Sequence, residues 1–155
     1  LGEALSAGRR SLYIPASYGS CAENAVVLIH AAVSGGSFAE YLRETAATRG
    51  TPGRLALDLE RLRMDFPLPA PTGQGEPLTA ESLSRLLERE SPAVFFSQEL
   101  CARYFTYTRD GAHRFVLYDD AGTLRQKLRI GTALGYAACF FMWPEIQDIA
   151  ADLLS

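Results

Sequence analysis

No basic run occurs anywhere in the 155 residues, and 15 Lys and Arg against 18 Asp and Glu leave a formal net charge of −3. A surface that binds a phosphate backbone needs clustered positive charge, so nucleic acid is excluded as a partner. No apolar stretch approaches the roughly 18 to 20 residues that cross a bilayer, and no signal-peptide apolar region is visible. Cysteine is scarce. Cys21, Cys101 and Cys139 are odd in number, far apart and without metal-ligand spacing, so free buried thiols are expected, not a disulfide framework or a zinc site. The two histidines, His30 and His113, have no Cys partner, and no Gly-x-Ser-x-Gly elbow is present, which leaves no support for a nucleophilic triad. Gly35-Gly36 lacks the spacing and the Lys of a phosphate loop. No metal and no cofactor is expected. The chain starts at Leu1 and not at Met, and is read as an excerpt or processed piece of a longer polypeptide.

What is present is ordinary globular material, 48% hydrophobic and 21% charged. That is enough for one domain with a real core, but short of the about 250 residues of a complete eight-stranded α/β barrel. Leu1 to Arg10 has helical character, with Gly8 as its stop. Ser11 to Pro15 reads as a short buried strand, and Ala25 to Val33 as a continuous apolar run typical of a parallel strand covered on both faces. Ser37 can N-cap a helix carrying Phe38, Tyr41, Leu42 and Thr45 on one stripe to about Arg49. Arg54 to Met64 alternates and predicts a third strand. Phe66 to Pro77 holds four of the eight prolines and predicts an irregular surface loop. A Thr79-capped helix with Leu83, Leu86 and Leu87, and a short strand at Ala93 to Phe96, follow. The last stretch predicts a hairpin turning at Asp110-Gly111, with strands to Tyr107 and from Arg114 to Tyr118. After it come a helix over Thr123 to Ala133 and a buried strand ending at Trp143.

Few side chains carry chemistry. Asp119-Asp120 and Glu145 are the carboxylates at strand ends. A pair facing a cleft could do acid/base work, but Asp119-Asp120 is read as a turn into the helix and Glu145 as a first-turn acid of the final helix. His30, inside an apolar run, is read as a core histidine, and His113 as solvent-facing. Asp58, Glu60, Arg61 and Arg63 are read as a solvated charged edge.

The order of Phe105 and Tyr107, Gly111, His113, Val116 to Asp120, Thr123 with Lys127, and Trp143 resembles the C-terminal end of a glycoside hydrolase family 18 barrel. That family includes chitinases and spore-cortex and cell-wall N-acetylglucosaminidases. Residues 54 to 69 are similar to its seventh strand and exit: Arg54, Leu57, Asp65, Phe66 and Pro69 fit, while Asp58, Glu60, Leu62 and Arg63 replace its Gly, Pro, Tyr and Gly. Residues 76 to 120 resemble its small α+β insertion, Ala25 to Val33 its sixth strand, and Leu1 to Ala16 its fourth helix and fifth strand.

The resemblance implies an α/β fold, a partial (β/α)₈ barrel equivalent to strands 5 to 8. It would form a single domain over residues 1–155, with loop and insertion at 66–120. It implies an N-acetylglucosamine-containing glycan as partner, with contacts from Trp143, Tyr107, Asp120 and Glu145, and an extracellular or cell-envelope setting. In such enzymes the substrate's own N-acetyl group is the nucleophile and the protein supplies a general acid from an Asp-x-x-Asp-x-Asp-x-Glu motif. This chain contains no such motif, so no catalytic residue is assigned, and by itself it is expected to be inactive. A second copy or an upstream half is expected to complete it. The alternative is a non-catalytic protein-binding or cell-wall-binding module built on a degenerate barrel.

Overall fold

A computed structural model describes residues 11–21, 23–70 and 73–155. The helix expected over Leu1 to Arg10 lies outside the described residues. The fold mixes α with two β-sheets of opposite character. The first sheet is parallel, with β1 (Tyr13–Pro15), β2 (Val26–His30), β3 (Leu55–Asp58) and β9 (Ala138–Phe140) side by side in that order. Strands that succeed one another in space as they do in the chain, joined by helical crossovers, are what short apolar runs separated by amphipathic helices produce.

The register places Ile29, Leu55 and Leu57 on the face that packs against α1 (Phe38–Arg49). Phe38 and Leu42 are fully buried there. Ser37 caps α1 by accepting a hydrogen bond from the Glu40 N–H, and Gly50 closes it at φ 127°, a backbone conformation available to glycine without a Cβ penalty. The opposite face is concave. Tyr13 of β1 and Phe140 of β9 meet edge to face at 4.9 Å between ring centroids, although two strands lie between theirs. A flat sheet would hold them about 14 Å apart. Strong curvature is therefore built into only four strands, yet the sheet is open: among the described residues β1 pairs only with β2 and β9 only with β3.

The second sheet is antiparallel, in the order β5 (Glu76–Pro77), β4 (Arg63–Leu68), β8 (Ala112–Tyr118), β7 (Ala102–Arg109), β6 (Phe95–Ser97). β7 and β8 turn at Asp110 and Gly111, with φ of 51° and 77°, the two-residue hairpin turn whose positive φ values favour Asp-Gly. α2 (Ala80–Glu90), capped by Thr79, lays Leu83 and Leu86 onto Phe105, Tyr107, Val116 and Tyr118.

Three sequence expectations need correction. The alternation over Arg54 to Met64 is not one strand but the end of β3 and the start of β4, which belong to different sheets. The chain leaves the parallel sheet after Asp58, where the Leu59 N–H donates to the Phe140 carbonyl. The proline-rich stretch is not wholly irregular, because β4 runs to Leu68 and β5 pairs with Met64 and Asp65. The last parallel strand stops at Phe140, and Trp143 instead opens the short α4 (Trp143–Ile146). Pro144 explains the change, since its fixed φ and missing N–H suit a first helical turn and not a ladder.

The two sheets are tied by α3 (Ala121–Ala133) and the end of β8. Asp120 N-caps α3 in a capping box with Thr123. Asp119, beside it, is wholly buried together with Lys127. The Lys127 ammonium donates to Asp119 Oδ2 at 2.7 Å, the Thr123 hydroxyl donates to Oδ1 at 2.8 Å, and the Leu62 N–H donates to Oδ2 at 3.0 Å. The Asp119 N–H in turn donates to the Leu62 carbonyl at 2.7 Å. A buried carboxylate with every partner in place is tolerated, whereas one stripped of its cation is expensive. Lys127→Met is therefore expected to cost about 3–5 kcal/mol in urea unfolding, and adding Asp119→Asn is expected to recover part of that loss. Gly131 tests the packing of α3 on β3. A Cβ there would lie 2.4 Å from Leu57 Cδ1. Gly131→Ala is thus expected to destabilise by about 1–3 kcal/mol, despite the roughly 1 kcal/mol that Ala gains in helix propensity.

Candidate functional site

In parallel α/β architectures ligands meet the carboxyl ends of the strands, where loops are free to carry polar groups. A cleft of about 620 Å³ opens there. Its walls include Ser34 after β2, Glu60 and Arg61 between β3 and β4, Arg63 at the start of β4, Thr79 at the cap of α2, and Glu145 after β9.

The charged edge expected at Asp58, Glu60, Arg61 and Arg63 is not uniformly solvated. The side chains of Arg61 and Arg63 are only 7% and 11% exposed. Arg61 donates to the carbonyls of Asp119 and Glu145 and pairs with the Asp148 carboxylate. Arg63 donates to the Leu78 carbonyl at 3.0 Å and pairs with the Glu145 carboxylate. Two arginines thus stitch the β3–β4 connection to α4 and to the cap of α2, using the multiple donors of the guanidinium fork. Their partners in α4 and just beyond lie more than 80 residues away in sequence, so no local pattern announced them.

His30 is also corrected. It stands at the C-terminal end of β2, with a side chain 61% exposed and Nδ1 3.4 Å from Glu60 Oε2, because the apolar run outlasts the enclosed part of the strand. His113 is exposed, as expected, and contacts the Thr108 hydroxyl.

The four residues expected to contact glycan do not converge. Glu145 lines the cleft, and Trp143, two residues before it, is 59% exposed. Tyr107 is buried on the antiparallel sheet, where its hydroxyl donates to Asp65 Oδ2 at 2.6 Å beside the Arg114 guanidinium. Burial first, and then the Asp65 carboxylate, push its phenol above the usual range. Asp120 serves α3 and Arg103. Burial works to raise its carboxyl, but the Thr123 N–H and the Arg103 guanidinium outweigh it and hold the group below the ordinary value.

The thiols are partly as expected: Cys101 is buried and Cys139 half-buried, but Cys21 is exposed. Burial pushes Cys101 up to about 11 and Cys139 up to about 12, so neither is a thiolate at neutral pH and neither can act as a nucleophile. Among the described residues no group of three or more His, Cys, Asp or Glu could hold a metal ion, and no helix is long and apolar enough to cross a membrane.

No protein-family model matches the chain, and no curated protein matches it significantly by sequence. Solved structures do match its fold. A Chromobacterium violaceum chitinase aligns with TM-score 0.71 at 17% identity, covering 99% of this chain and 57% of that one. The Bacillus megaterium spore cortex-lytic enzyme SleL aligns at 0.68 and 15%, covering 96% and 43%. Two Cycas revoluta chitinase structures align at 0.61 each. The first is a mutant holding (GlcNAc)₃, at 14% identity and covering 89% and 48%. The second is described as a family GH18 chitinase with allosamidin, at 15% identity and covering 97% and 57%. At such identities the likeness is one of fold, and the fold is that of the glycoside hydrolase family 18 chitinases and spore cortex-lytic enzymes. The chain spans about half the length of these structures.

The thiols give a direct test of burial in the two-sheet fold. A neutral aromatic disulfide reagent at pH 8 is expected to label one thiol, Cys21, in the folded protein and three after denaturation. Because unfolded thiols ionise near about 8.5, the unfolded state sheds protons first. Stability is expected to fall as pH rises from there towards 11, as read by thermal melts.

Proposed function

We propose that this chain is a glycan-binding half of a family 18-like α/β barrel, with residues 66–120 as its α+β insertion and the (GlcNAc)-type polymers of chitin or peptidoglycan as ligand class. The observation that carries the reading is the cleft at the carboxyl ends of the parallel strands, with the exposed Trp143 immediately before the lining residues Pro144 and Glu145. An indole face is a platform for the apolar side of a pyranose ring, and its one N–H can serve a hydroxyl. Glu145 offers acceptors at the rim. Tyr107 and Asp120 contribute by holding Asp65, Arg114 and α3 in place.

In this reading the chain brings no general acid. Its sequence lacks the acidic strand motif of the family, and Glu145 is engaged by Arg63. Catalysis would require four more strands against the free edges of β1 and β9, from a second copy or from another half. The strong curvature at Tyr13 and Phe140 supports that closure. The same open edges also favour a second reading, a binding module that docks a protein or wall polymer without chemistry.

Trp143 is the chain's single tryptophan, so intrinsic fluorescence reports on this position alone. Titration with N-acetylglucosamine oligomers is expected to give a saturable change in fluorescence. Calorimetry is expected to show at least about fivefold weaker binding for Trp143→Ala, since loss of one stacking ring removes about 1–3 kcal/mol. No heat and no fluorescence change with these oligomers or with soluble peptidoglycan fragments would move the function to the binding module.

A further inference from the structure

Arg61, Arg63, Arg103 and Arg114 are each paired with a carboxylate. Arg49 and Arg54 are not. Among the described residues each of these two side chains has one partner, a backbone carbonyl: Arg49 donates to Ala16 at 3.3 Å and Arg54 to Ala25 at 3.4 Å. Bonds of that length are at the weak end of the range, and one N–H apiece leaves most of two five-donor guanidinium forks unused.

The fold brings both forks to one place. α1 ends at Arg49, Gly50 closes it, and a single turn over Pro52–Arg54 leads into β3, held by the Arg54 N–H on the Thr51 carbonyl at 2.9 Å. Both arginines line one hollow of about 450 Å³, together with Thr51 and with Glu23 from the turn before β2. Ala25, only 1% exposed, fixes the end of that turn and receives Arg54. A second hollow of about 290 Å³ adjoins the first, sharing Gly19, Val27 and Arg49 with it and adding Ser17 and Ser20. Both lie at the amino ends of the parallel strands, whereas the cleft lies at their carboxyl ends, so the site is independent of the glycan reading.

Two guanidiniums without a counter-charge at one concavity are a receptor for an oxyanion, which can take several of their N–H groups at once. Glu23 selects among oxyanions. It is exposed and has no ion pair among the described residues, and an ionised carboxylate can only accept hydrogen bonds. It repels sulfate, which brings no proton, and accepts from a phosphate that keeps one. The hollow is larger than the anion alone requires, and the serine hydroxyls beside it suit the hydroxyls of a small alcohol carried on the phosphate.

We propose that this hollow binds a small phosphate, free or as a monoester, with Arg49 and Arg54 as its cationic clamp and Glu23 as the acceptor of the phosphate's own proton.

The test is a nuclear magnetic resonance titration of the full chain with inorganic phosphate, glycerol phosphate and sulfate at equal ionic strength. A pH of about 5.5 keeps a proton on both phosphates, whose second ionisation falls near 6 or above. The expected result is a saturable shift of the Gly50 and Thr51 amides with phosphate, and at least about fivefold weaker binding of sulfate despite its larger charge. Glycerol phosphate is expected to bind at least as tightly as the free ion. Arg49→Gln/Arg54→Gln should weaken phosphate binding by at least about tenfold, as loss of two charge-assisted contacts implies. Glu23→Gln should abolish or reverse the preference over sulfate. Arg85→Gln/Arg89→Gln, which removes the same charge from α2, should change neither. Melting curves would confirm that the variants fold. Shifts that grow without saturating, or sulfate bound as tightly as phosphate by the unmodified chain, overturn the site. Phosphate binding that survives Arg49→Gln/Arg54→Gln, or that is lost equally in the α2 variant, overturns the assignment to these residues. Weaker binding of glycerol phosphate than of inorganic phosphate overturns the ester form.

Discussion

The buried pair of Asp119 and Lys127 is the contact on which the rest of the arrangement depends. A lone carboxylate or ammonium in a fully enclosed site is not sustainable. Three elements must therefore arrive together: the end of β8 with Asp119, α3 with Thr123 and Lys127, and the β3–β4 connection with the Leu62 backbone. Hydrophobic contact alone would let the antiparallel sheet slide over the parallel one, because apolar packing is non-directional. Hydrogen bonds to a fixed carboxylate fix the register. The Asp119 carbonyl also receives Arg61, so the same residue sets where the cleft's arginines stand.

From that anchor the cleft follows. Arg61 in the β3–β4 connection and Arg63 at the start of β4 stand on either side of Leu62 and reach α4, Asp148 two residues beyond it and the Leu78 carbonyl before the cap of α2. They are structural cations whose charge is used within the protein. What remains unpaired by arginine at the cleft wall is the Glu60 carboxylate, with the exposed indole of Trp143 immediately before the lining residue Pro144. The sugar-binding role proposed above rests on this part of the cleft, and the likeness to chitinase and cortex-lytic enzyme structures is one of fold.

The curvature of the parallel sheet bears on the same point. Parallel strands are normally covered on both faces, and here α1 and α3 cover the convex side while the concave side carries partly exposed Tyr13 and Phe140. The bend that brings the rings of its first and last strands into contact is the feature on which the proposed closure rests.

Local physics was legible in the residues themselves. Ser37 and Thr79 cap helices, Asp110-Gly111 makes the hairpin turn, and the apolar runs become β1, β2 and β3, because capping, turn conformation and side-chain periodicity are decided within a few residues. Tertiary structure alone decided that Leu57 and Met64 belong to different sheets, that His30 faces solvent, that Tyr107 is buried against Asp65, and that Arg61 and Arg63 are enclosed and paired. Each of those outcomes is set by partners tens of residues distant, and a sequence carries no local record of which charges will be matched once the chain has closed on itself.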